Sequence, residues 1–386
     1  MAFFSQMIAG FPGAHEVLTR MLPVRPTLRQ VWEQALRVGR DLIERRDAEI
    51  RDMLEGRPPS PPANAPDLLV VANDGGRIQD RSRPVGDRWC EYKAAVIYRG
   101  TREDAVREGL SGDPQDEPHW RYAKGAHGFE RVEDEEKKVY SDPEPEMKTF
   151  TASTATVERF PLVVELEAKR RGLMEAHTVC FVGDGGDFVW RTAHEVAERR
   201  RAGGKRVFEV LDIIHAGEHL VNATKAAFGA TDEGVEWINA RHRELWRGEA
   251  TQLCAAMASK AAELAPHPGP ENSSARIVWN AHDYFFEHRE RIRYDVFRAH
   301  GLPLTSVHVE SGIKQTNHRV KGSEKQWLLF NAEGMLALRC LALSEDERWN
   351  EHFNALREGR IVIPTRVAPR TQHPVARLPQ RLRKTG

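Results

Sequence analysis

Two apolar runs that each lead into Asp-Gly-Gly constrain the fold of this chain more than any other feature. The first run covers residues 68–72 and leads to Asp74, and the second covers residues 178–182 and leads to Asp184. Short apolar runs bounded by turn residues are typical of buried strands. Because the carboxyl ends of parallel strands line one edge of a sheet, we predict that the two carboxylates meet at that edge.

The remaining segments alternate between strand and helix patterns. Besides the two runs, β-branched and aromatic residues predict strands at 89–99, 148–153 and 206–214. Apolar residues at helical spacing predict helices at 14–55, 155–171 and 189–201, and mostly helix over 216–300 and 309–358. This alternation predicts an α/β fold with parallel strand pairing, which carries an α-helical insertion.

Changes in composition divide the chain into regions. The proline-rich segment 57–66 predicts a linker after an N-terminal helical region, 1–56. We interpret 67–215 as the first part of the core, with a polar and acidic insertion at 101–147. The regions that follow are an α-helical insertion, a last part of the core and a basic, disordered tail, at 216–302, 303–358 and 359–386.

Overall composition excludes some classes of protein. The 386 residues hold 57 Lys and Arg against 57 Asp and Glu, so the zero net charge alone does not favour a nucleic-acid partner. No apolar run approaches the length of about 18 residues that spans a membrane, and the first residues lack the basic start of a secretory signal. Four widely spaced cysteines without a CxxC pair indicate structural thiols. We therefore expect a cytoplasmic protein that does not cross a membrane.

The two predicted edge carboxylates have the chemistry of a metal site. Neighbouring carboxylates repel each other unless a proton or a cation lies between them. Mg²⁺ suits such a pair, because it takes few protein carboxylates and keeps waters for a phosphate substrate. Asp74 and Asp184 are therefore candidate Mg²⁺ ligands, and Asp187 is a competing second acid. The alternative is that Asp-Gly forms an ordinary turn after each strand.

A third acid, Glu310, precedes a basic segment. On a helix, Glu310, Lys314 and Asn317 share one face. Between residues 311 and 325 there are four basic residues and one acid, a composition that suits a phosphodiester backbone. The candidate DNA contacts are Lys314, Arg319, Lys321 and Lys325. The alternative is an amphipathic surface helix with solvated bases.

The segment His215-Ala-Gly-Glu218-His219 matches a different pattern, the HxxEH of inverted zinc peptidases. On a helix, the two imidazoles could share Zn²⁺, with Glu218 as the general base. Gly217 weakens a helix at this point. A zinc metallopeptidase stays an alternative whose third ligand would come from Glu287, Glu290 or Asp295.

Taken in order, these motifs resemble the DDE transposases of bacterial insertion sequences, in the ISKra group related to the Mutator transposases. The resemblance rests on residues 74–76, 181–190, 210–220, 310–327 and 336–349. It implies an RNase H-like fold, which is a mixed sheet flanked by helices with an α-helical insertion before the third catalytic acid.

The resemblance also implies an activity and its residues. Asp74, Asp184 and Glu310 match the metal-binding catalytic triad, and Asp212 and His215 match a supporting DxxH element. The implied enzyme cleaves and transfers DNA strands with two Mg²⁺ ions, for which Mn²⁺ can substitute. From the geometry of that fold we infer that Asp74 would bridge the ions and that the other two acids would hold one each.

The implied partners are DNA, as terminal inverted repeats and as target, and further copies of the chain in a homodimer or higher oligomer. The implied location is the bacterial cytoplasm. The alternative from a different class is a catalytically silent, transposase-derived protein that only binds DNA.

Overall fold

The computed structural model describes most of the chain between Gly10 and Ile363. The described residues are 10–21, 23, 25–102, 117–126, 128–133, 140–265, 267, 269–322 and 324–363. The predicted basic tail from residue 364 onward, and parts of the predicted acidic insertion, lie outside the described residues.

The strands form one central sheet and one separate hairpin. They are β1 (Leu68–Asp80), β2 (Trp89–Gly100), β3 (Trp120–Gly125), β4 (Gly128–Glu133), β5 (Glu146–Ser153), β6 (Thr178–Gly183), β7 (Val207–Leu211) and β8 (Gln326–Trp327). The sheet has the order β5–β2–β1–β6–β7, and β8 pairs with the end of β1. β2 is antiparallel to β1 and β5, whereas β1, β6 and β7 are parallel. β3 and β4 form the hairpin.

Helices flank this mixed sheet, so the predicted α/β class is confirmed. The predicted parallel pairing holds only for β1, β6 and β7. The helices are α1 (Phe11–Met21), α2 (Leu28–Leu54), α3 (Phe160–Arg170), α4 (Asp187–Ala202), α5 (Ile213–Phe228), α6 (Asp232–Trp246), α7 (Ala250–Leu264), α8 (Ser274–Glu287), α9 (Tyr294–Ala299), α10 (Val307–Val320), α11 (Leu329–Leu343) and α12 (Arg348–Arg357). None of the helices in the described residues is long and apolar enough to cross a membrane.

The core of the sheet is built from the two predicted apolar runs. All residues of β6 are buried, and so are residues 68–73 of β1. The buried run of β1 ends at Asn73, and Asp74 is half-buried. The centre of the sheet is therefore apolar up to the position where the first predicted acid stands.

The structure corrects the predicted end of one strand and the predicted content of the polar insertion. The predicted strand 206–214 ends at Leu211, because the Asp212 side chain caps α5 and Ile213 already belongs to that helix. The predicted polar insertion 101–147 contains the hairpin β3–β4, which its sequence signals only by alternation such as Trp120 and Tyr122.

The long N-terminal helix α2 packs on α11, beside the sheet. Thr27 begins it with a capping box to Gln30. Gly39 and Gly334 let the two helices approach closely, because a Cβ on Gly39 would lie 2.4 Å from the carbonyl oxygen of Gly334. Residues of α2 such as Leu36 belong to the same hydrophobic core as the central strands.

Candidate metal centre

Asp74 lies inside β1 and not at its end. Strand β6 stops pairing with β1 at Gly183, opposite Asn73, whereas β2 continues opposite Asp74 and both following glycines. This corrects the predicted turn at the first Asp-Gly-Gly. The strand can continue because Gly76 leaves room for Tyr92, whose ring would lie 2.2 Å from a Cβ at that position.

Asp184 directly follows β6, where the second predicted turn is present. Its Oδ1 accepts a hydrogen bond of 3.0 Å from the Gly186 backbone N–H. Gly185 has a φ of +97°, a left-handed conformation that favours glycine. Because the parallel register of β1 and β6 ends one residue earlier, Asp74 and Asp184 occupy the next matched positions at one edge of the sheet. Asp187 lies exposed in the first turn of α4.

A tyrosine from α8 supports the loop of the second acid. The Tyr284 hydroxyl donates a hydrogen bond of 3.0 Å to the carbonyl oxygen of Asp184. A Cβ on Gly185 would lie 2.8 Å from the Tyr284 ring. The His219 ring stacks on the same tyrosine, with centroids 3.7 Å apart. The helical segment after β7 therefore fixes the position of the loop that carries Asp184.

Asp212 joins the start of α5 to the start of α10. Its Oδ1 accepts hydrogen bonds from the N–H groups of Ile214 and His215 at 2.6 and 3.2 Å. Its Oδ2 accepts from the N–H and the hydroxyl of Ser306 at 2.6 and 2.5 Å. A carboxylate has about four acceptor sites, so these donors saturate the buried Asp212. It therefore acts as a positioning residue between the helix of His215 and the helix of Glu310.

His215 and Glu310 lie together beside Asp212. The His215 Nδ1 atom is 3.7 Å from Asp212 Oδ2 and 4.0 Å from Glu310 Oε1. One ligand atom from each of the three residues lies within 4.8 Å of the others, so the group could hold a metal ion. His215 Nδ1 is buried without a hydrogen-bond partner among the described residues. Since Asp212 is saturated, Glu310 is the member that can offer a carboxylate oxygen, and His215 can offer a ring nitrogen only in its neutral form.

The charged groups of the site act on one another. Burial, together with the carboxylates of Asp184 and Glu310, raises the pKa of Asp74 to about 6. The Asp212 carboxylate raises the pKa of His215 to about 9, so this imidazole is a cation at neutral pH. The carboxylates of Asp184 and Glu310 and the imidazole of His215 therefore act on Asp74. Within the described residues, however, no group of three candidate ligand atoms lying within 4.8 Å of one another includes Asp74 or Asp184.

Helix α10 presents Glu310 above the sheet, and the predicted helix is confirmed. Gly312 allows the helix to approach closely, because a Cβ there would lie 2.5 Å from the Phe150 ring. Further along, Asn317 accepts a hydrogen bond of 3.0 Å from the Tyr92 hydroxyl on β2. These contacts with the sheet fix the orientation of α10 and so the position of Glu310.

The three lysines predicted to contact DNA differ in their exposure. Lys314 and Lys321 are exposed, and Lys314 Nζ lies 3.7 Å from Glu310 Oε2. Lys325 is partly buried, and its Nζ donates a hydrogen bond of 2.8 Å to the carbonyl oxygen of His318. Lys314 and Lys321 are therefore the two of these lysines that face solvent most fully.

The fourth predicted contact, Arg319, is only 1% exposed. Its guanidinium lies over the Phe11 ring at 4.2 Å and near the Trp327 ring at 5.6 Å. Burial lowers the pKa of Arg319 to about 10. The structure places this side chain in the packing between α1, α10 and β8, where it does not face a phosphate, so we remove it from the predicted DNA contacts.

The HxxEH residues do not come together as a zinc site. His215 lies with Asp212 and Glu310, whereas His219 stacks on Tyr284. Within the described residues, no group of three candidate ligands includes Glu218, His219, Glu287, Glu290 or Asp295. Gly217 also has another explanation, because a Cβ there would lie 2.3 Å from the Tyr122 hydroxyl.

Sequence reasoning missed two residues that position the acids. Ser306 bonds Asp212 from 94 positions along the chain, and Tyr284 bonds Asp184 from 100 positions. A serine just before a helix signals an N-cap, but the Ser306 side chain makes no cap bond with its own helix. Neither contact has a local signal.

In comparisons with known proteins, no protein-family model and no curated protein matches this sequence. The geometry of the site is therefore the basis for the function proposed below.

Proposed function

We propose that this chain is a DDE-type transposase, which cleaves and transfers DNA strands with divalent metal ions. One observation carries the proposal: Asp74 and Asp184 occupy the next matched positions of the neighbouring parallel strands β1 and β6, and the carboxylates of Asp184 and of Glu310 on α10 both raise the pKa of Asp74. Holding carboxylates together out of water is unfavourable unless a cation offsets their repulsion. Three separate elements supply such acids here, which favours a site for a cation.

The sheet supports the proposal through its strand order and strand direction. Three antiparallel strands, β5, β2 and β1, continue into the parallel strands β6 and β7. Helices α3 and α4 connect β5 to β6 and β6 to β7. We assign this arrangement to the RNase H-like fold, with α5 to α9 as the helical insertion before the third acid.

The side chains fit a hard divalent ion. Mg²⁺ prefers carboxylate oxygens and keeps several waters, and Mn²⁺ accepts the same donors. In the proposal, the carboxylates of Asp74, Asp184 and Glu310 would hold the ions. His215 Nδ1 lies 4.0 Å from Glu310 Oε1, and this imidazole could ligate an ion only after it loses its proton. When bound, such ions activate an attacking water or 3′-hydroxyl and stabilise the leaving oxygen.

The other residues of the site arrange charge around the acids. Protonated His215 offsets part of the negative charge of Asp212 and Glu310. Asp212 keeps α5 and α10 in register through Ser306, so the Glu310 carboxylate stays beside His215. Lys314 and Lys321, which are exposed on and just after α10, would neutralise DNA phosphates.

The proposed substrates are the terminal inverted repeats of an insertion sequence and a target DNA. Strand transfer requires two DNA ends to be held near each other, so we include a homodimer or higher oligomer in the proposal. The assembly would form on DNA in the bacterial cytoplasm.

The test uses the full chain and DNA that carries the inverted repeats flanking its coding sequence. We expect the wild type to nick and join strands with Mg²⁺ or Mn²⁺ and not with EDTA. Asp184→Asn should lower the rate by about 1000-fold, since it removes a metal-binding carboxylate. Asp187→Asn is the matched control, because the same change is made three residues away at an exposed position. It should retain the wild-type rate.

Each other outcome overturns a defined part of the proposal. Full activity in Asp184→Asn, with loss in Asp187→Asn, would make Asp187 the second acid. DNA binding in EDTA with no cleavage of any substrate would favour the catalytically silent DNA-binding protein. Stoichiometric Zn²⁺ that is lost in His215→Ala would favour the peptidase.

A further inference from the structure

A cavity of about 360 Å³ lies between the hairpin β3–β4 and helix α5. The hairpin contributes three aromatic walls, Trp120, Tyr122 and Phe129, together with Arg131. The volume of the cavity falls in the range of about 300 to 1000 Å³ that is usual for small-molecule sites. Nothing in the metal centre uses these side chains, so the cavity needs its own explanation.

The aromatic walls are held in place by the helical segment. The Tyr122 backbone N–H donates to the side chain of Asn239, and the Asn239 amide donates back to the Tyr122 carbonyl, both at 2.8 Å. The Trp120 ring makes an edge contact with Trp246 at 5.3 Å. Gly217 on α5 leaves space for the Tyr122 hydroxyl. The cavity is therefore preformed, and a planar ligand would not have to order its walls.

The polar groups around the cavity suit the edge and the phosphate of a nucleotide. The Arg131 guanidinium lies over the Trp120 ring, 4.3 Å from its centre, and also pairs with Glu133 at 2.5 Å. Glu218 and Asn222 are exposed on the α5 side and can exchange hydrogen bonds with base edges. Lys225, which lies against Gly128 of the hairpin, adds a positive charge nearby.

The cavity adjoins the metal centre. Ile213 and Ile214 line it, and these two residues stand between Asp212 and His215 at the start of α5. A group bound there is within one helical turn of the residues that flank the proposed reaction site. A DNA strand bound at the metal centre could therefore place one of its own bases in the cavity.

We propose that this cavity binds a nucleobase of the DNA substrate, rotated out of the base stack beside the reacting strand. The inference rests on the proposed function and names a second contact between the chain and that substrate. Stacking on an aromatic side chain stabilises a bound base by enough to change affinity by about tenfold or more. Because every base has two flat faces, such a contact would bind any base. It would therefore fix the position of the DNA strand without selecting its sequence.

The experiment measures binding of the full chain to two labelled single strands of equal length in EDTA, so that no strand is cleaved. One strand is oligothymidylate and the other is an abasic backbone. We expect the wild type to bind the base-bearing strand about tenfold more tightly, as read by fluorescence anisotropy. This ratio isolates the base contact from contacts with phosphate.

Variants then locate the contact. Phe129→Leu keeps an apolar wall but removes the ring, and Val221→Phe fills the cavity from α5. Both should reduce the ratio towards one and leave binding of the abasic strand unchanged, whereas Phe129→Tyr should keep it. Glu236→Phe adds the same ring at an exposed position of α6 and should behave as wild type.

Equal binding of both strands by the wild type, or an unchanged ratio in Val221→Phe, would overturn the cavity assignment. The proposed function would survive that result, because strand cleavage needs only the backbone contact. Absence of binding to either strand would also overturn the cavity assignment, whereas the proposed function is overturned by the absence of cleavage on DNA that carries the inverted repeats. Thermal unfolding of each variant shows whether a changed ratio comes from a lost fold.

Discussion

Two regions of this protein bury charged side chains, and they do so in opposite ways. The metal centre consists of Asp74, Asp184, Asp212, His215 and Glu310. The ion network lies between α2, α3, α11 and α12 and consists of Arg46, Glu167, Arg170, Arg171, Glu333 and Arg348. In the ion network arginine side chains face each buried acid, whereas in the metal centre carboxylates from different elements face one another.

Glu333 illustrates the ion network. Its carboxylate is 0% exposed and accepts hydrogen bonds from Arg46 at 2.8 Å and from the Ser153 hydroxyl at 2.7 Å. The N–H and the hydroxyl of Thr154 donate to its other oxygen at 2.7 and 2.8 Å. Burial alone would raise the pKa of Glu333, but Arg46 and these donors outweigh burial and lower it.

Glu167 follows the same principle. Arg348 donates to both of its oxygens, at 2.7 and 2.9 Å, and Arg170 donates at 3.1 Å. Burial acts to raise the pKa of Glu167, but Arg348, Arg170 and Arg171 outweigh burial and hold it at about 2. The contrast with Asp74, whose pKa is raised to about 6, comes from the three arginines beside Glu167, because the single cation beside Asp74, His215, does not outweigh burial. The network therefore stabilises the fold, whereas the metal centre is arranged to receive a cation.

The largest expected effect is in the ion network. Glu333→Gln should lower the free energy of unfolding by about 3 kcal/mol, because it removes the buried carboxylate that Arg46 shares with Ser153 and Thr154 and leaves Asp47 as the charge partner of Arg46. Urea unfolding at neutral pH measures this. Glu33→Gln, in an exposed pair with Arg29, is the control and should change stability by less than about 1 kcal/mol. Equal losses of unfolding free energy in the two variants would contradict the distinction between buried, paired charges and exposed ones.

A pH series tests the same network through Glu167. Its pKa is about 2 in the fold and about 4.3 in the unfolded chain, so its contribution is fully present above about pH 5 and is lost as the pH falls towards 2. That contribution is about 3 kcal/mol. The difference in unfolding free energy between wild type and Glu167→Gln should therefore narrow between about pH 5 and pH 3. A constant difference across this range would show that the arginines do not lower this pKa.

On the side of the metal centre, Ser306→Ala tests the support of Asp212. The change removes one of the four donors to that carboxylate and loosens the link between α5 and α10. Loss of such a supporting bond should weaken Mn²⁺ binding by about 10- to 100-fold. Ser311→Ala, at an exposed position of α10, is the control. Mn²⁺ affinity that is the same in both variants would remove Ser306 from the supporting residues.

The parts of this comparison that could be predicted from sequence are the local ones. The apolar runs before Asp74 and Asp184 predict buried strands, and the helix that carries Glu310 follows from its spacing. The longer β1 could not be predicted, because it depends on β2 continuing opposite the two glycines.

Contacts between distant segments account for the other differences. The burial of Arg319 under Phe11 depends on where α1 packs, and nothing in the basic segment 311–325 signals it. The saturation of Asp212 depends on Ser306 from another part of the chain. The sequence therefore indicates which acids are present, whereas long-range packing decides which of them can still accept a cation.

The central claim is that the metal centre holds mutually repelling acids that a cation stabilises. Urea unfolding of wild type and Asp74→Asn, each in EDTA and in saturating Mn²⁺, tests it most directly. In EDTA at neutral pH, Asp74→Asn should be more stable than wild type by about 1 kcal/mol, because it removes a half-buried charge beside other acids. Mn²⁺ should stabilise the wild type more than the variant and so narrow or reverse this difference. A variant that is less stable than wild type in EDTA, or an equal effect of Mn²⁺ on both proteins, would contradict the account.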